Sequence, residues 1–323
     1  MDWFLRAKFG IFLHWGIYSA GGIEASWPFF HAQVPHDWYF GLAKKFGAER
    51  YDPRAWARFF REIGATYAVL TTKHHDGVAL WPTEQSRALR AVDISPAGKR
   101  WGDLVGPFCE ALRAEGLKVG LYFSHADWSH PDYASVHNAG APAESASAVN
   151  AKYSYPPGKD EPERWERFIA FHRGQLKELC TWYSPDLLWF DGDWERSGEQ
   201  WRAAELRELL KGWRPGVIHN NRLSGLGDYL TFELKMAEKP MTVPWEVAET
   251  LNHQWAWSPD NSTLKSVETL AWVYRETTRP RAGGVAGNLL LNIGPRADGT
   301  FDPLQGRRLA ELGEWIHGAG AYV

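Results

Sequence analysis

The 323-residue chain is 44% hydrophobic, enough for a substantial core arranged as one large barrel or as two ordinary domains. A net charge of −3 with no long basic run argues against nucleic acid or an anionic membrane as partner, and no apolar run is long enough to span a bilayer. The opening Met-Asp-Trp-Phe-Leu-Arg-Ala-Lys-Phe-Gly passes straight into a strand without an export signal, which predicts a cytoplasmic chain, or a secreted or periplasmic one if a leader has been removed. Cys109 and Cys180 fall on apolar faces of predicted helices and read as core fillers, not as a disulfide or a metal site.

Lys8 to Gly16 reads as a first strand, apolar and ending in His14-Trp-Gly. An aromatic segment containing Asp37 and Trp38 follows, then a helix whose apolar positions are Ala55, Trp56, Phe59, Phe60 and Ile63, closed by Gly64. The second strand, Ala65 to Lys73, stops at His74-His75-Asp76-Gly77. A helix over 102–116 leads to a third strand, Leu117 to Ser124. The stretch 125–160, dense in Ala, Ser, Pro and Gly, reads as an active-site wall or lid. A helix over 163–183 then delivers the chain to Pro185-Asp-Leu-Leu-Trp-Phe-Asp-Gly-Asp-Trp194, an apolar strand that ends on the carboxylate of Asp191. Trp189, Phe190 and Trp194 are read as aromatic neighbours that keep water from that carboxylate. A helix over 201–213, short strands at 216–222, 229–233 and from Trp245, a helix over 264–279, a last strand 287–294 and a closing helix over 304–317 complete the series.

About eight strand signals, mostly separated by helices and nearly all ending in polar residues, predict a (β/α)8-like TIM barrel occupying residues 1–323 as one catalytic domain. No glycine-rich phosphate fingerprint follows the first strand, which weighs against a dinucleotide fold. If the strand ends converge, they gather His14, His74, His75, Asp76, Asp191, Asp193, Arg222, Glu233 and Glu246, with Trp38, Tyr122, Trp189 and Trp255 nearby. That inventory suits glycoside hydrolysis, which needs two carboxylates of unlike pKa flanking the glycosidic bond, hydroxyl-binding donors and an aromatic wall. It also admits a metal-assisted hydrolase, though no His-x-His or His-Glu-x-x-His is present and adjacent strand histidines point to opposite faces. A structural reading stays open for each group: a core histidine for His14, a turn cluster for His74 and His75, an ordinary ion pair for Arg222, a barrel-internal partner for Glu246 and plain core for Trp38 and Trp255.

The ordered motifs Lys8-Phe-Gly-Ile-Phe-Leu-His-Trp-Gly16, Thr71-Thr-Lys-His-His-Asp-Gly77, Leu188-Trp-Phe-Asp-Gly-Asp-Trp194, Asn220-Asn-Arg222, Trp245-Glu246 and Gly287-Asn-Leu-Leu-Leu-Asn-Ile-Gly-Pro295 resemble the α-L-fucosidases of glycoside hydrolase family 29 from Lys8 to Tyr322. The resemblance implies a (β/α)8-like barrel, an exo-acting retaining mechanism, no cofactor or metal, and fucosylated oligosaccharides or glycoconjugates as substrates. It makes Asp191 the nucleophile and Glu233 the acid/base, with Glu246 in reserve. His14, His74 and His75 match fucose-hydroxyl ligands, Trp38, Tyr122, Trp189 and Arg222 match sugar contacts, and Trp255 matches an aromatic near the fucose methyl. Asp37 stands where relatives often carry Glu, and Asn221 where they usually carry Asp. Many relatives continue into a C-terminal β-sandwich that is not expected here, and the face it would cover leads us to expect self-association as a homo-oligomer. A catalytically silent carbohydrate-binding barrel is the competing class.

Overall fold

The computed structural model describes residues 1–134 and 161–319. Most of the segment expected to wall the site, 135–160, therefore lies outside the described residues. Eight parallel strands form one curled sheet: β1 Phe9–Leu13, β2 Tyr67–Lys73, β3 Lys118–Ser124, β4 Leu187–Asp191, β5 Ile218–His219, β6 Leu230–Glu233, β7 Trp245–Thr250 and β8 Asn288–Ile293. The hydrogen-bonded order is β5-β4-β3-β2-β1-β8-β7-β6, and the two ends of the series meet through a single parallel bridge between Asn220 and Tyr229. This is the expected (β/α)8-like barrel, with a weak seam between β5 and β6.

The seam explains why the strand expected over 216–222 shrinks to two residues. Side-chain amides take over the ladder: Asn220 accepts from the Phe190 amide and donates to the Phe190 carbonyl, both at 2.9 Å. Asn221 accepts from the Thr231 amide at 2.9 Å, stitching β5 to β6. The helices α2 Pro53–Glu62, α3 Val105–Ala114, α4 Pro162–Tyr183, α5 Ala203–Trp213, α6 Val267–Thr278 and α7 Pro303–Ala319 pack outside the sheet, while the short α1 Asp2–Ala7 lies at the N-terminal end. Among the described residues no helix separates β5 from β6 or β6 from β7, so the barrel is thinnest there. Asp52 starts α2 by accepting from the Ala55 amide at 2.9 Å, with Pro53 at the first helical position where its missing N–H costs nothing.

Strand alternation divides the core into two. Phe12, Tyr67, Val69, Tyr122, Leu187, Trp189, Ile218, Ala248 and Leu290 fill the inside of the barrel, and Ile11, Leu13, Ala68, Leu70, Val119, Leu121, Leu188, Phe190, Leu289 and Leu291 meet the helices. Gly10 belongs to the inner set because the Tyr67 ring occupies its side-chain space; a Cβ there would stand 2.3 Å from that ring. α1 closes the N-terminal end, where Phe4 packs on Tyr229 with ring centroids 4.3 Å apart and its carbonyl accepts from Asn288 at 2.7 Å. Cys109 and Cys180 are buried free thiols in α3 and α4, as their positions predict.

Candidate active site

In β4 the alternation turns Leu187, Trp189 and Asp191 inward and Leu188 and Phe190 outward. Phe190, expected beside the carboxylate, instead packs on His125 and His219 in the outer layer. Asp191 is the last residue of its strand and Gly192 follows with φ +78°, so the carboxylate stands at the C-terminal rim where the inner layer gives way to open space. A cavity of about 320 Å³ lies there, lined by His14, Trp27, His74, Trp189, Asp191, Trp194, Arg222, Glu233 and Trp255.

Two carboxylates share one cation in this cavity. Arg222 gives one terminal nitrogen to Asp191 Oδ1 and the other to Glu233 Oε1, the latter at 3.0 Å. Tyr122, buried behind the wall, donates its hydroxyl to Asp191 Oδ2 at 3.0 Å. Burial alone would raise the Asp191 carboxyl, but the Arg222 guanidinium, with His75 and His74 beside it, holds it well below the usual carboxylate range. Glu233 goes the other way: burial and the negative charge of Asp191 raise it against the pull of Arg222. A pair of carboxyls is thereby divided into one that stays ionised and one that keeps its proton longer.

His14 and His74 reach the cavity because they lie beyond the strands, and His75 is buried behind them against Asp191. β2 ends at Lys73, and in the turn that follows His74 and His75 stand together, ring centroids 4.3 Å apart, instead of facing opposite sides. His14, one residue past β1, has its Nδ1 2.7 Å from Asn292 Oδ1. Because the amide of Asn292 donates to the Trp255 carbonyl at 2.6 Å, its Oδ1 accepts, so His14 donates through Nδ1 and keeps a lone pair on Nε2. Burial lowers His14 to about 4, which keeps the ring neutral. Ser26 Oγ holds His74 Nδ1 at 2.6 Å. Ser124 spends its hydroxyl proton on the Ala126 carbonyl at 2.7 Å, so His75 donates to it from Nδ1 at 2.6 Å. The other nitrogen of His75 is buried without a hydrogen bond, 3.4 Å from Asp191 Oδ2.

Trp189 and Trp255 line the cavity as expected from their positions, and Trp194 joins them with half its surface exposed. Glu246 does not reach it. Wholly buried near the start of β7, its carboxyl accepts from Tyr67 at 2.6 Å, Trp189 Nε1 at 2.9 Å and Thr231 at 3.3 Å. The expectation that Glu246 touches a ligand or stands in reserve as an acid is corrected: it sits beneath Trp189 and fixes that ring. Asp37 and Trp38 also stay outside. They lie on the short helix His36–Gly41, Asp37 facing solvent beside His36 and Trp38 46% exposed over Gly21.

Sequence reasoning passed over Trp27, one of three aromatics in a Trp-Pro-Phe-Phe run, which stacks on Trp194 at an interplanar angle of 16°. It also missed the fixing groups Ser26, Ser124 and Asn292; for Asn292 the signal was a polar residue within Leu-Leu-Leu-Asn-Ile, buried in β8. Among the described residues no group of three or more His, Cys, Asp or Glu is disposed to hold a metal ion. No helix among them is long and apolar enough to cross a membrane.

A family model described as alpha-L-fucosidase matches residues 1–321. The human tissue alpha-L-fucosidase is 31% identical over 350 residues, spanning 99% of this chain and 69% of that protein. Among solved structures, alpha-L-fucosidase isoenzyme 1 from Paenibacillus thiaminolyticus superposes with a TM-score of 0.85 at 33% identity, covering 99% of this chain and 76% of that one. A family 29 alpha-L-fucosidase from Bacteroides thetaiotaomicron, solved as a trapped covalent intermediate with 2-fluoro-fucosyl fluoride, superposes with a TM-score of 0.81 at 27% identity over 98% of this chain and 74% of that one. Whole-length agreement of sequence and fold, with two unlike carboxyls in one sugar-sized cavity, makes this chain a glycoside hydrolase that belongs to the α-L-fucosidase family, family 29.

Proposed function

We propose that the chain is a retaining, exo-acting α-L-fucosidase in which Asp191 is the nucleophile and Glu233 the acid/base, residues 1–323 acting as one catalytic domain. The observation that carries this is that two carboxyls share one guanidinium at the cavity wall and yet are displaced in opposite directions, Asp191 downward and Glu233 upward. Asp191 attacks the anomeric carbon, the bond from that carbon to the leaving oxygen breaks, and Glu233 gives its proton to that oxygen. Loss of the Asp191 charge in the covalent intermediate removes one of the influences that raised Glu233, while Arg222 still lowers it. Glu233 then becomes the base the second step requires: it takes a proton from water, whose oxygen attacks the anomeric carbon and frees Asp191. The covalent intermediate trapped in the Bacteroides relative supports the same two-step course.

The cavity has room for one pyranose ring, which favours attack on a terminal residue. His14 Nε2 offers an acceptor to a sugar hydroxyl, with His74 lining the cavity beside it. Trp189 and Trp255 supply apolar faces, Trp255 for the methyl group at C5. The direct test is proton NMR of early hydrolysis products from an aryl α-L-fucoside. α-L-fucose appearing before its β-anomer is the expected result; β-fucose appearing first would mean single displacement and overturn the assignment of Asp191 as nucleophile.

A further inference from the structure

Three polar side chains are buried behind the cavity in a core that is otherwise aromatic. Arg173 and His172 lie on α4, and His125 is the first residue after β3. Phe123, Phe190 and Trp201 pack around the two rings. Burying two imidazoles and a guanidinium costs free energy that apolar side chains of similar volume would avoid, and the contacts they make offset that cost.

Those contacts form a chain with one direction. Arg173 NH1 lies 2.9 Å from His172 Nδ1, His172 Nε2 lies 2.9 Å from His125 Nδ1, and His125 Nε2 lies 3.0 Å from the Arg222 carbonyl oxygen. A guanidinium only donates, so His172 accepts at Nδ1 and, being neutral, carries its proton on Nε2. That proton goes to His125 Nδ1, leaving the His125 proton on Nε2 facing Arg222. Starting from the other end gives the same answer, because a carbonyl only accepts. Both tautomers are thus fixed twice over. Burial lowers both rings, His125 to about 3, and the nearby charges of Arg173 and Lys73 act the same way, with Asp191 opposing at His125. The neutral state that the chain requires is the stable one.

We infer that His125 is a positioning residue of the active centre: with His172 and Arg173 it forms a hydrogen-bond relay that holds the main chain of Arg222 and thereby sets where the guanidinium stands between Asp191 and Glu233. Arg222 needs such a hold. It follows a strand of two residues, and among the described residues no backbone donor reaches its carbonyl. His125 also donates its own amide to the Asp191 carbonyl at 2.7 Å, so one residue ties down the main chain of the carboxylate and of the cation that must meet it. Arg173 is anchored in turn by donating to the Trp201 carbonyl at 2.5 Å and the Arg202 carbonyl at 3.3 Å.

The inference rests on the roles given above to Asp191 and Glu233, and its test separates the two. Arg222 lowers both carboxyls, so loosening it raises both, and both limbs of the kcat/KM pH profile move to higher pH. His125→Phe fills the space without a donor and is expected to lose about 100-fold in kcat/KM, mostly in kcat, with the profile displaced upward. His125→Gln restores a donor at the Nε2 position and is expected to recover most of the activity and the wild-type profile. An active His125→Phe enzyme, or a loss with unmoved limbs that His125→Gln does not repair, would overturn the relay. Nitrogen-15 NMR of the wild-type rings decides independently of activity, and stands if His125→Phe fails to fold. Both rings are expected as neutral Nε2–H tautomers from pH 5 to 8; an Nδ1–H tautomer or a titration in that range refutes the inference. A wild-type chain with the expected tautomers but no fucosidase activity would instead remove the roles of Asp191 and Glu233.

Discussion

Glu233 and Glu246 sit on neighbouring strands, both face into the barrel, and burial pushes both upward, yet they do different things. In the register of β6 against β7, Glu246 lies level with Thr231, two residues below Glu233 along the barrel. Glu233 therefore meets a cavity, a cation and a second carboxylate, whereas Glu246 meets a tyrosine, an indole and a hydroxyl, all donating to it. Distance from the strand's C-terminal end decides which carboxyl faces the cavity and which is enclosed beneath it. In the proposed mechanism Glu233 needs a proton it can lose to a ligand, whereas Glu246 serves by accepting from three donors.

The largest expected effects break the comparison at the cavity. Asp191→Ala and Glu233→Ala are each expected to lower kcat on an aryl α-L-fucoside by about a thousandfold or more, less for Glu233 when the leaving group needs no proton. Azide tells them apart. With Glu233→Ala it attacks the fucosyl-enzyme and gives the azide of retained configuration, while with Asp191→Ala it attacks the substrate from the opposite face and gives the inverted azide. Glu246→Ala is expected to show no rescue, since a cavity beneath Trp189 lies out of reach of the anomeric carbon. A retained azide from Glu246→Ala, with none from Glu233→Ala, would exchange their roles.

A smaller effect is expected in the barrel floor, and its sign follows from linkage. Burial raises Glu246 to about 7 from the ordinary 4.5 of a glutamate. Between those pH values the folded chain holds a proton that the unfolded chain has released, so this contribution is full below 4.5 and is lost as the pH rises through about 7. Glu246→Gln cannot titrate. Its stability relative to the wild type is expected to improve by on the order of 3 kcal/mol between pH 4.5 and 8, at about 1.4 kcal/mol per unit of displacement. Urea unfolding of both proteins at the two pH values measures this; a constant difference would mean that Glu246 titrates normally in the fold.

The contrast between rim and floor was half legible in the sequence. Apolar runs ending on polar residues marked the strands, and the parity of Leu187, Trp189 and Asp191 against Leu188 and Phe190 was available to show which residues share a face. Glu246 was harder to judge, because an acid inside a strand looks the same whether it lies near the start of the strand or near its end, and β7 runs on to Thr250. His74 and His75 were legible as polar residues after a strand, but their common aim depended on a turn that follows Lys73. Ser26, Ser124 and the His172 relay carry no local signal at all, and Asn292 shows only as a polar residue inside an apolar strand. Their partners lie from 47 to 278 residues away in the chain, and only folding brings them together.

The smallest expected effect sharpens the comparison at the outer edge of the rim. Trp194 is half exposed and stacks on Trp27 at the cavity wall, so it is placed to meet the group that leaves and not the ring that is attacked. Trp194→Ala is expected to lower kcat/KM about fivefold for a fucosylated disaccharide, the equivalent of about 1 kcal/mol of lost stacking, and to change it much less for α-L-fucosyl fluoride, whose leaving group is one atom. Equal losses on both substrates would place Trp194 against the fucose itself. The comparison of the two substrates thus reads where the sugar-binding cavity ends and the surface that selects the leaving group begins.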